Sequence, residues 1–365
     1  MTNPINVHLL RDIEHGGPSD QLSTIANDLA AYLAAARTTI DVAIYDFRLD
    51  DTSAIDSVIG AFTDAVDRGV AVRIAYDAGK PADGSAAAFA ALGADPAPIG
   101  TGDFLNQHLG STKVALKPIR AGGQLMHSKY IVRDAGDGST TTGIWTGSTN
   151  FTDDAWTRQE NNIITVADPV IAQSYLADFE QMWSTGGIHN AGAHGAGSST
   201  VGGAEIGWDF CPGDGAAVNT ALAARVAAAR ERLVVASMVL TSHEVLAALA
   251  AAVTQGVPLS GIYDGGQMDP IVRQWRSNPG SRQVLADWES VSAQLSRKNS
   301  APYTPTSVHD FMHLKVLISD DTLTTGSYNF SSNAERNAEN QLHLLDPTTL
   351  DAYAGYVDTV IAEYR

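Results

Sequence analysis

The spacing of apolar residues along this chain switches between helical and strand-like periods in an order that occurs twice. Residues 28–49, DLAAYLAAARTTIDVAIYDFRL, read as an alanine-rich helical stretch, then Arg37, then a short apolar run of strand type. Residues 220–240, TALAARVAAARERLVVASMVL, repeat the plan with Arg230 in the place of Arg37. Each copy continues into a second helical stretch, 54–70 and 243–257, and then into a strand-like piece ending in Tyr-Asp-x-Gly, RIAYDAG (73–79) and SGIYDGG (260–266). Strand, helix of some fifteen residues and second strand form a βαβ unit, which predicts a largely parallel sheet with helices packed on it.

Further along, MHSKYIVRD, WTGSTNF and RQENNIITVADP (within 126–168) have counterparts in MHLKVLISD, TTGSYNF and NAENQLHLLDP (within 312–347). Asp77 to His127 is 50 residues and Asp264 to His313 is 49, while Asn150 to Glu160 and Asn329 to Glu339 are both 10. The one clear length change is seven extra residues between Asp134 and Gly147, relative to Asp320 and Gly326. Recurrence in this order implies duplication. The expectation is a lobe over residues 1–187 and a homologous lobe over 205–365. The Gly-, Ala- and Ser-rich stretch between them, 188–204, reads as a linker. Its His189 and His194 lack a third ligand and a fixed frame, so no metal is expected there.

The chemistry sits in the second repeated segment. His127 and Lys129, like His313 and Lys315, are two apart in strand-like runs, so imidazole and ammonium project from the same face. Asn150 and Asn329 follow with a glycine and a serine, and Glu160 and Glu339 stand ready to accept a histidine N–H. Two imidazoles, two ammoniums and two carboxamides suit a tetrahedral anion such as a phosphoryl group. One imidazole could attack phosphorus while the other protonates the leaving oxygen, with lysines and asparagines holding the remaining oxygens. No metal or other cofactor is called for.

Charge narrows the partners. Lys and Arg number 23 against 41 Asp and Glu, a formal net of −18, which disfavours tracking along a nucleic-acid backbone. A single cysteine, Cys211, excludes an intrachain disulfide. No signal-peptide-like or membrane-spanning run is evident, so the expectation is a cytoplasmic protein, or a secreted one if a leader was trimmed.

The segments HSKYIVRD…GSTN…EN and HLKVLISD…GSYN…EN resemble the duplicated HKD motif of the phospholipase D superfamily, over nearly the whole chain. The resemblance implies an α/β fold of two homologous α/β/α sandwich lobes about a pseudo-two-fold axis, with one active site between them. It also implies metal-independent phosphodiester exchange through a phosphohistidine. By that analogy His127 would be the nucleophile and His313 the general acid/base, or the reverse. Lys129, Lys315, Asn150 and Asn329 would bind phosphate, and Glu160 and Glu339 would pair with the histidines. Asp134 and Asp320 would be architectural. The expected reaction is hydrolysis of a phospholipid, or transfer of its phosphatidyl group to an alcohol, by a monomer without an obligate protein partner. The alternatives are a nuclease of the same superfamily acting on single strands, and a catalytically dead scaffold. Cardiolipin-synthase-like activity is less favoured because such enzymes usually carry N-terminal membrane helices.

For substrate selection, Arg273, Trp275, Arg276 and Trp288 form a candidate basic and aromatic rim within residues 269–300, against the alternative of an amphipathic helix pair. Residues 80–126, with Phe104, His108, Lys113, Lys117 and Arg120, would form the opposite wall. Asp46 and Asp50 could meet a cationic head group, although capping is the simpler role.

Overall fold

The structure is a computed structural model that describes residues 3–79, 99–136, 138–193, 195–302 and 307–365. His194, and the 80–98 part of the expected opposite wall, lie outside the described residues.

The first half runs β1 (Ile5–Leu10), α1 (Gln21–Ala34), β2 (Thr39–Ile44), β3 (Phe47–Arg48), α2 (Thr52–Asp67), β4 (Ala71–Asp77) and α3 (Thr101–Leu109). It continues through β5 (Ala115–Ile119), β6 (Lys129–Arg133), β7 (Gly143–Gly147), β8 (Phe151–Thr152), α4 (Asp153–Thr157), β9 (Asn161–Val166) and α5 (Pro169–Thr185). The second half runs β10 (Gly197–Val201), β11 (Ala204–Cys211), α6 (Gly215–Ala228), β12 (Leu233–Ser237), α7 (His243–Thr254), β13 (Leu259–Asp264), α8 (Gly265–Ser277) and α9 (Arg282–Ser292). It closes with β14 (Ser296–Lys298), β15 (Lys315–Ser319), β16 (Thr322–Gly326), β17 (Glu339–Leu345) and α10 (Pro347–Glu363).

Two large sheets result, in the order β1-β9-β7-β6-β2-β4-β5 and β10-β11-β17-β16-β15-β12-β13-β14. Strand for strand the second repeats the first, with β10 added at its edge. The βαβ units give parallel pairing only at one side, β2-β4-β5 and β12-β13-β14, and every other pair within these two sheets is antiparallel. The sheets are therefore mixed rather than largely parallel. The reason is that the HxK segment returns as an antiparallel neighbour of the first strand, β6 on β2 and β15 on β12. The expected linker is also corrected in part: Gly197–Val201 is an edge strand paired with β11.

Helices α5 and α10 lie between the two sheets. Ile171, Tyr175, Phe179 and Met182 of α5 and Leu350, Tyr353, Val357 and Val360 of α10 share one core with inward residues of both sheets. The outer face of the first sheet is covered by α1, α2 and α3, and that of the second by α6 to α9. Each lobe is thus an α/β/α sandwich, and the two share the middle helical layer. Both middle helices start on the same signal. Asp168 caps Val170 and Ile171 ahead of Pro169, and Asp346 caps Thr349 ahead of Pro347, satisfying N–H groups that helix geometry leaves open. Among the described residues no helix is long and apolar enough to cross a membrane.

Candidate active site

The HxK strands β6 and β15 are central in their sheets, and each histidine stands just before its strand. A repeated carboxylate sets that entry. Asp77 at the end of β4 accepts the backbone N–H of Met126 at 2.8 Å, and Asp264 at the end of β13 accepts that of Met312 at 2.8 Å. The Tyr-Asp signature that marks the duplication therefore positions the residue preceding each histidine. The histidine backbones then pair across the lobes, His127 N–H with the Ala338 carbonyl (2.8 Å) and His313 N–H with the Glu160 carbonyl (3.1 Å). Short parallel bridges, Met126 with Ala338 and Glu160 with Met312, complete the seam.

These bridges correct the expected pairing of Glu160 with a histidine, whereas Glu339 does meet one. Glu160 is the structural counterpart of Ala338, and Asn161 is the counterpart of Glu339. The serines agree: Ser148 donates to Asn161 at 2.7 Å, and Ser327 donates to Glu339 at 2.6 Å. His127 Nδ1 meets Glu339 Oε2 at 2.8 Å, whereas His313 Nδ1 meets Asn161 Oδ1 at 3.0 Å. Each partner comes from the opposite lobe. Glu160 turns away instead, accepting from Lys298 Nζ at 2.8 Å and from the Tyr364 hydroxyl at 2.7 Å. The equal ten-residue spacing misleads because the first copy carries one more residue there, within the turn that contains α4.

His127, His313, Asn150 and Asn329 line one cavity of about 230 Å³ between the lobes, together with Tyr45, Arg48, Gln159, Met238, Gln267, His309 and Phe311. Both carboxamides line this cavity, and their buried Oδ1 atoms have no protein partner. Tyr45 sets its ring edge-on to His127 at 4.8 Å, with Lys129 Nζ 4.9 Å from the ring centre. The lysines sit beneath the histidines, Lys129 Nζ donating to the His127 carbonyl (2.7 Å) and Lys315 Nζ to that of His313 (2.6 Å). Asp46, offered as a head-group contact, is neutralised by a bidentate pair with Arg48 at 2.8 and 2.7 Å.

Packing so many basic groups out of water favours their neutral forms. Burial pushes His127 down to about 4 against the pull of Glu339, and it pushes Lys129 down to about 7. His313 and Lys315 fall well below their ordinary values, from burial and from the neighbouring lysines. An anion bound between them would favour the charged forms. Because Lys129 must be protonated to hold an anion well, competitive inhibition by sulfate, whose charge is constant, should weaken as pH rises through about 7. Its inhibition constant should grow on the order of tenfold between pH 6 and pH 8. A constant that stays flat across that interval would contradict this placement of the ammonium.

Asp134 and Asp320 stand away from the cavity, at positive φ (52° and 51°) after their strands. Asp134 accepts the N–H groups of Arg37, Thr38 and Thr39, and Asp320 those of Arg230, Glu231 and Arg232. Each thereby ties the turn from α1 to β2, or from α6 to β12, to the end of the HxK strand. Burial opposes ionisation of Asp134, but the donors from Thr141 and the backbone outweigh it and hold the carboxyl below its usual range. A depressed carboxyl stabilises the fold above the ordinary carboxylate pKa and loses that contribution as pH falls through the native value. Asp134→Ala should cost about 3 kcal/mol in urea unfolding at neutral pH, a deficit that narrows towards acid. Asp134→Asn, which keeps the left-handed backbone accessible, should cost less.

The expected substrate rim is corrected. Trp275 and Trp288 are buried in the outer core of the second lobe, while Arg273 and Arg276 point to solvent. None of the four lines the cavity, and α8 contributes Gln267 instead. Met268, Val272 and Trp275, then Val284, Trp288 and Val291, are the apolar stripes of an amphipathic helix pair. On the other side, Phe104 packs on Phe47 and His108, and Lys117 binds the Trp183 carbonyl, so the cavity takes Leu125 from that stretch. Sequence reasoning missed Tyr45, Arg48, His309 and Phe311; Tyr45 and Phe311 have repeat counterparts in Met238 and Leu125, which line the same cavity, but the change of side chain hides the correspondence.

This pair of lobes has known relatives. Residues 29–183 and 222–361 match the family described as cardiolipin synthase, PLD-like domain, and the chain belongs to that family, within the phospholipase D superfamily of phosphodiesterases. Among solved structures it is similar to phosphatidylserine synthase from Haemophilus influenzae, with a TM-score of 0.66 at 11% identity over 99% of this chain and 89% of that one. It is also similar to polyphosphate kinase from Porphyromonas gingivalis, with a TM-score of 0.58 at 11% identity over 97% of this chain and 46% of that one. At these identities the likeness shows the fold. No curated protein matches the sequence significantly.

Proposed function

We propose that this chain is a metal-independent phosphodiesterase of phospholipase D type, which releases the head group of a phospholipid through a phosphohistidine. The observation that carries the proposal is the convergence of His127 and His313, from opposite lobes, in one cavity with each Nδ1 engaged by an acceptor. An engaged Nδ1–H leaves Nε2 as the reacting atom of each ring. In the first step one Nε2 bonds to phosphorus as the bond to the leaving oxygen breaks, and the second histidine gives that oxygen a proton. In the second step an incoming hydroxyl passes its proton to the second histidine and bonds to phosphorus, and the N–P bond breaks. Lys129, Lys315, Asn150 and Asn329 hold the non-bridging oxygens as charge builds.

Both histidines belong to one chain, so a monomer suffices. The incoming hydroxyl is water or an alcohol; the synthase names borne by the matching family and by the Haemophilus structure favour including transfer. The net charge of −18 favours lipid over nucleic acid. The test is incubation in EDTA with mixed phosphatidylcholine and phosphatidylglycerol vesicles plus a single-stranded oligonucleotide, with all products resolved by mass spectrometry. Phosphatidate or an exchanged phospholipid beside intact oligonucleotide is expected. Shortened oligonucleotide beside untouched lipid would overturn the choice of substrate.

A further inference from the structure

The two halves of the cavity are not equivalent, and the difference lies in what each histidine leans on. Behind His127 is a carboxylate, Glu339, itself held by the Ser327 hydroxyl (2.6 Å) and Asn337 Nδ2 (3.2 Å). Behind His313 is a neutral carboxamide, Asn161, fully buried. The orientation of that carboxamide is fixed by its own bonds. Its Nδ2 donates to the Ala155 carbonyl and to Gln159 Oε1, both at 3.0 Å, which leaves Oδ1 to accept from Ser148 and His313. Gln159 is fixed in turn, donating to the His309 carbonyl at 2.9 Å. His313 therefore carries its resting proton on Nδ1, and the proton it gives to the leaving oxygen is a second one, taken from water onto Nε2 when the anionic phosphodiester binds.

We infer that Asn161 is the positioning residue that makes His313 the proton-transfer histidine, while Glu339 makes His127 the nucleophile. The inference rests on the phosphodiesterase reading and divides the labour within it. When His127 Nε2 bonds to phosphorus its ring becomes cationic, and the carboxylate 2.8 Å from Nδ1 stabilises that charge. A shuttle must instead release its proton to the leaving oxygen and recover one from the incoming hydroxyl. A carboxamide orients that ring without stabilising its cation, and so leaves it the stronger acid. Glu160, one residue from Asn161 and read as a histidine partner from spacing, is occupied by Lys298 and Tyr364 and has no part in the transfer.

The test separates the roles by leaving group. p-Nitrophenolate departs without a proton, whereas an alkoxide needs one. With bis(p-nitrophenyl) phosphate in EDTA, the loss in first-equivalent p-nitrophenolate release caused by Asn161→Ala should be at least about tenfold smaller than its loss with an alkoxide leaving group, and His313→Ala should still form the phosphoryl adduct. In His313→Ala the phosphoryl adduct should map to the peptide containing His127. With dihexanoylphosphatidylcholine, Asn161→Ala should lose at least about 100-fold in turnover. Glu339→Gln should slow adduct formation with both substrates. An adduct on His313, or a p-nitrophenol burst spared by Glu339→Gln and slowed by Asn161→Ala, would overturn the assignment. Wild-type protein inert towards both substrates would instead overturn the phosphodiesterase reading. A merely structural role for Asn161 would depress both leaving groups alike, and so fail the expected split.

Discussion

His127→Ala should abolish turnover, with a loss of at least about 1,000-fold and no covalent adduct on any substrate, including one with a leaving group that needs no proton. The expectation follows from the place of the ring. Its Nδ1 is committed to Glu339, its backbone is pinned to Ala338 of the other lobe, and its side chain lines the cavity. Removing a nucleophile deletes a step rather than slowing it, and His313, the matching imidazole of the other lobe, is backed by a carboxamide. The substitution trims a side chain at the cavity wall, so the melting temperature should move little. Turnover within tenfold of wild type, at unchanged stability, would remove His127 from the chemistry.

A large effect on stability is expected at Glu160. Lys298 is 2% exposed, and its ammonium is held by Glu160 at 2.8 Å, Asp12 at 3.5 Å and the Arg158 carbonyl at 3.3 Å. Glu160 is also buried, raised above its ordinary pKa by desolvation and pulled back by Lys298 and Tyr364. This cluster joins the turn after β1, the edge strand β14 and the last residues of the chain, all beside the seam where Glu160 meets Met312. Glu160→Ala leaves the buried ammonium with only its longer contacts to Asp12 and the Arg158 carbonyl and should cost about 3 kcal/mol in denaturant unfolding. The double change Glu160→Ala with Lys298→Met removes both charges and should recover much of that loss, since a well-packed apolar pair often equals a buried ion pair. A double variant no more stable than Glu160→Ala would show that the cluster does not act as a pair.

How the sequence conveyed all this differs from residue to residue. The HxK pairs, the asparagines and the two-lobe plan were legible because duplication prints each of them twice, and period-two spacing tells which side chains share a face. The middle helices were signalled by the repeated Asp-Pro. Glu160 was misread because counting residues assumes that two loops have the same length. Ser148 to Asn161 is 13 residues and Ser327 to Glu339 is 12, so the glutamate that keeps step in number is out of step in space. Glu339 was flagged as a histidine partner by its place in the repeat, but that its histidine is His127 of the other lobe has no local signature. Trp275 and Trp288 were placed on a rim by composition, although their three- and four-residue spacing to neighbouring apolar positions already described a helix face turned inward. The strand at Gly197–Val201 was hidden by its glycine and serines, which carry little strand propensity and pair only because β11 offers a free edge.

The central claim is that phosphorus passes through a histidine. The measurement that reaches it most directly is the configuration at phosphorus after transfer, in EDTA, from a phospholipid made chiral at phosphorus by isotopic oxygen to a simple alcohol. Two successive in-line displacements each invert the centre, so the account predicts overall retention. Net inversion would mean that the alcohol attacks phosphorus directly, and would contradict the covalent role given to His127.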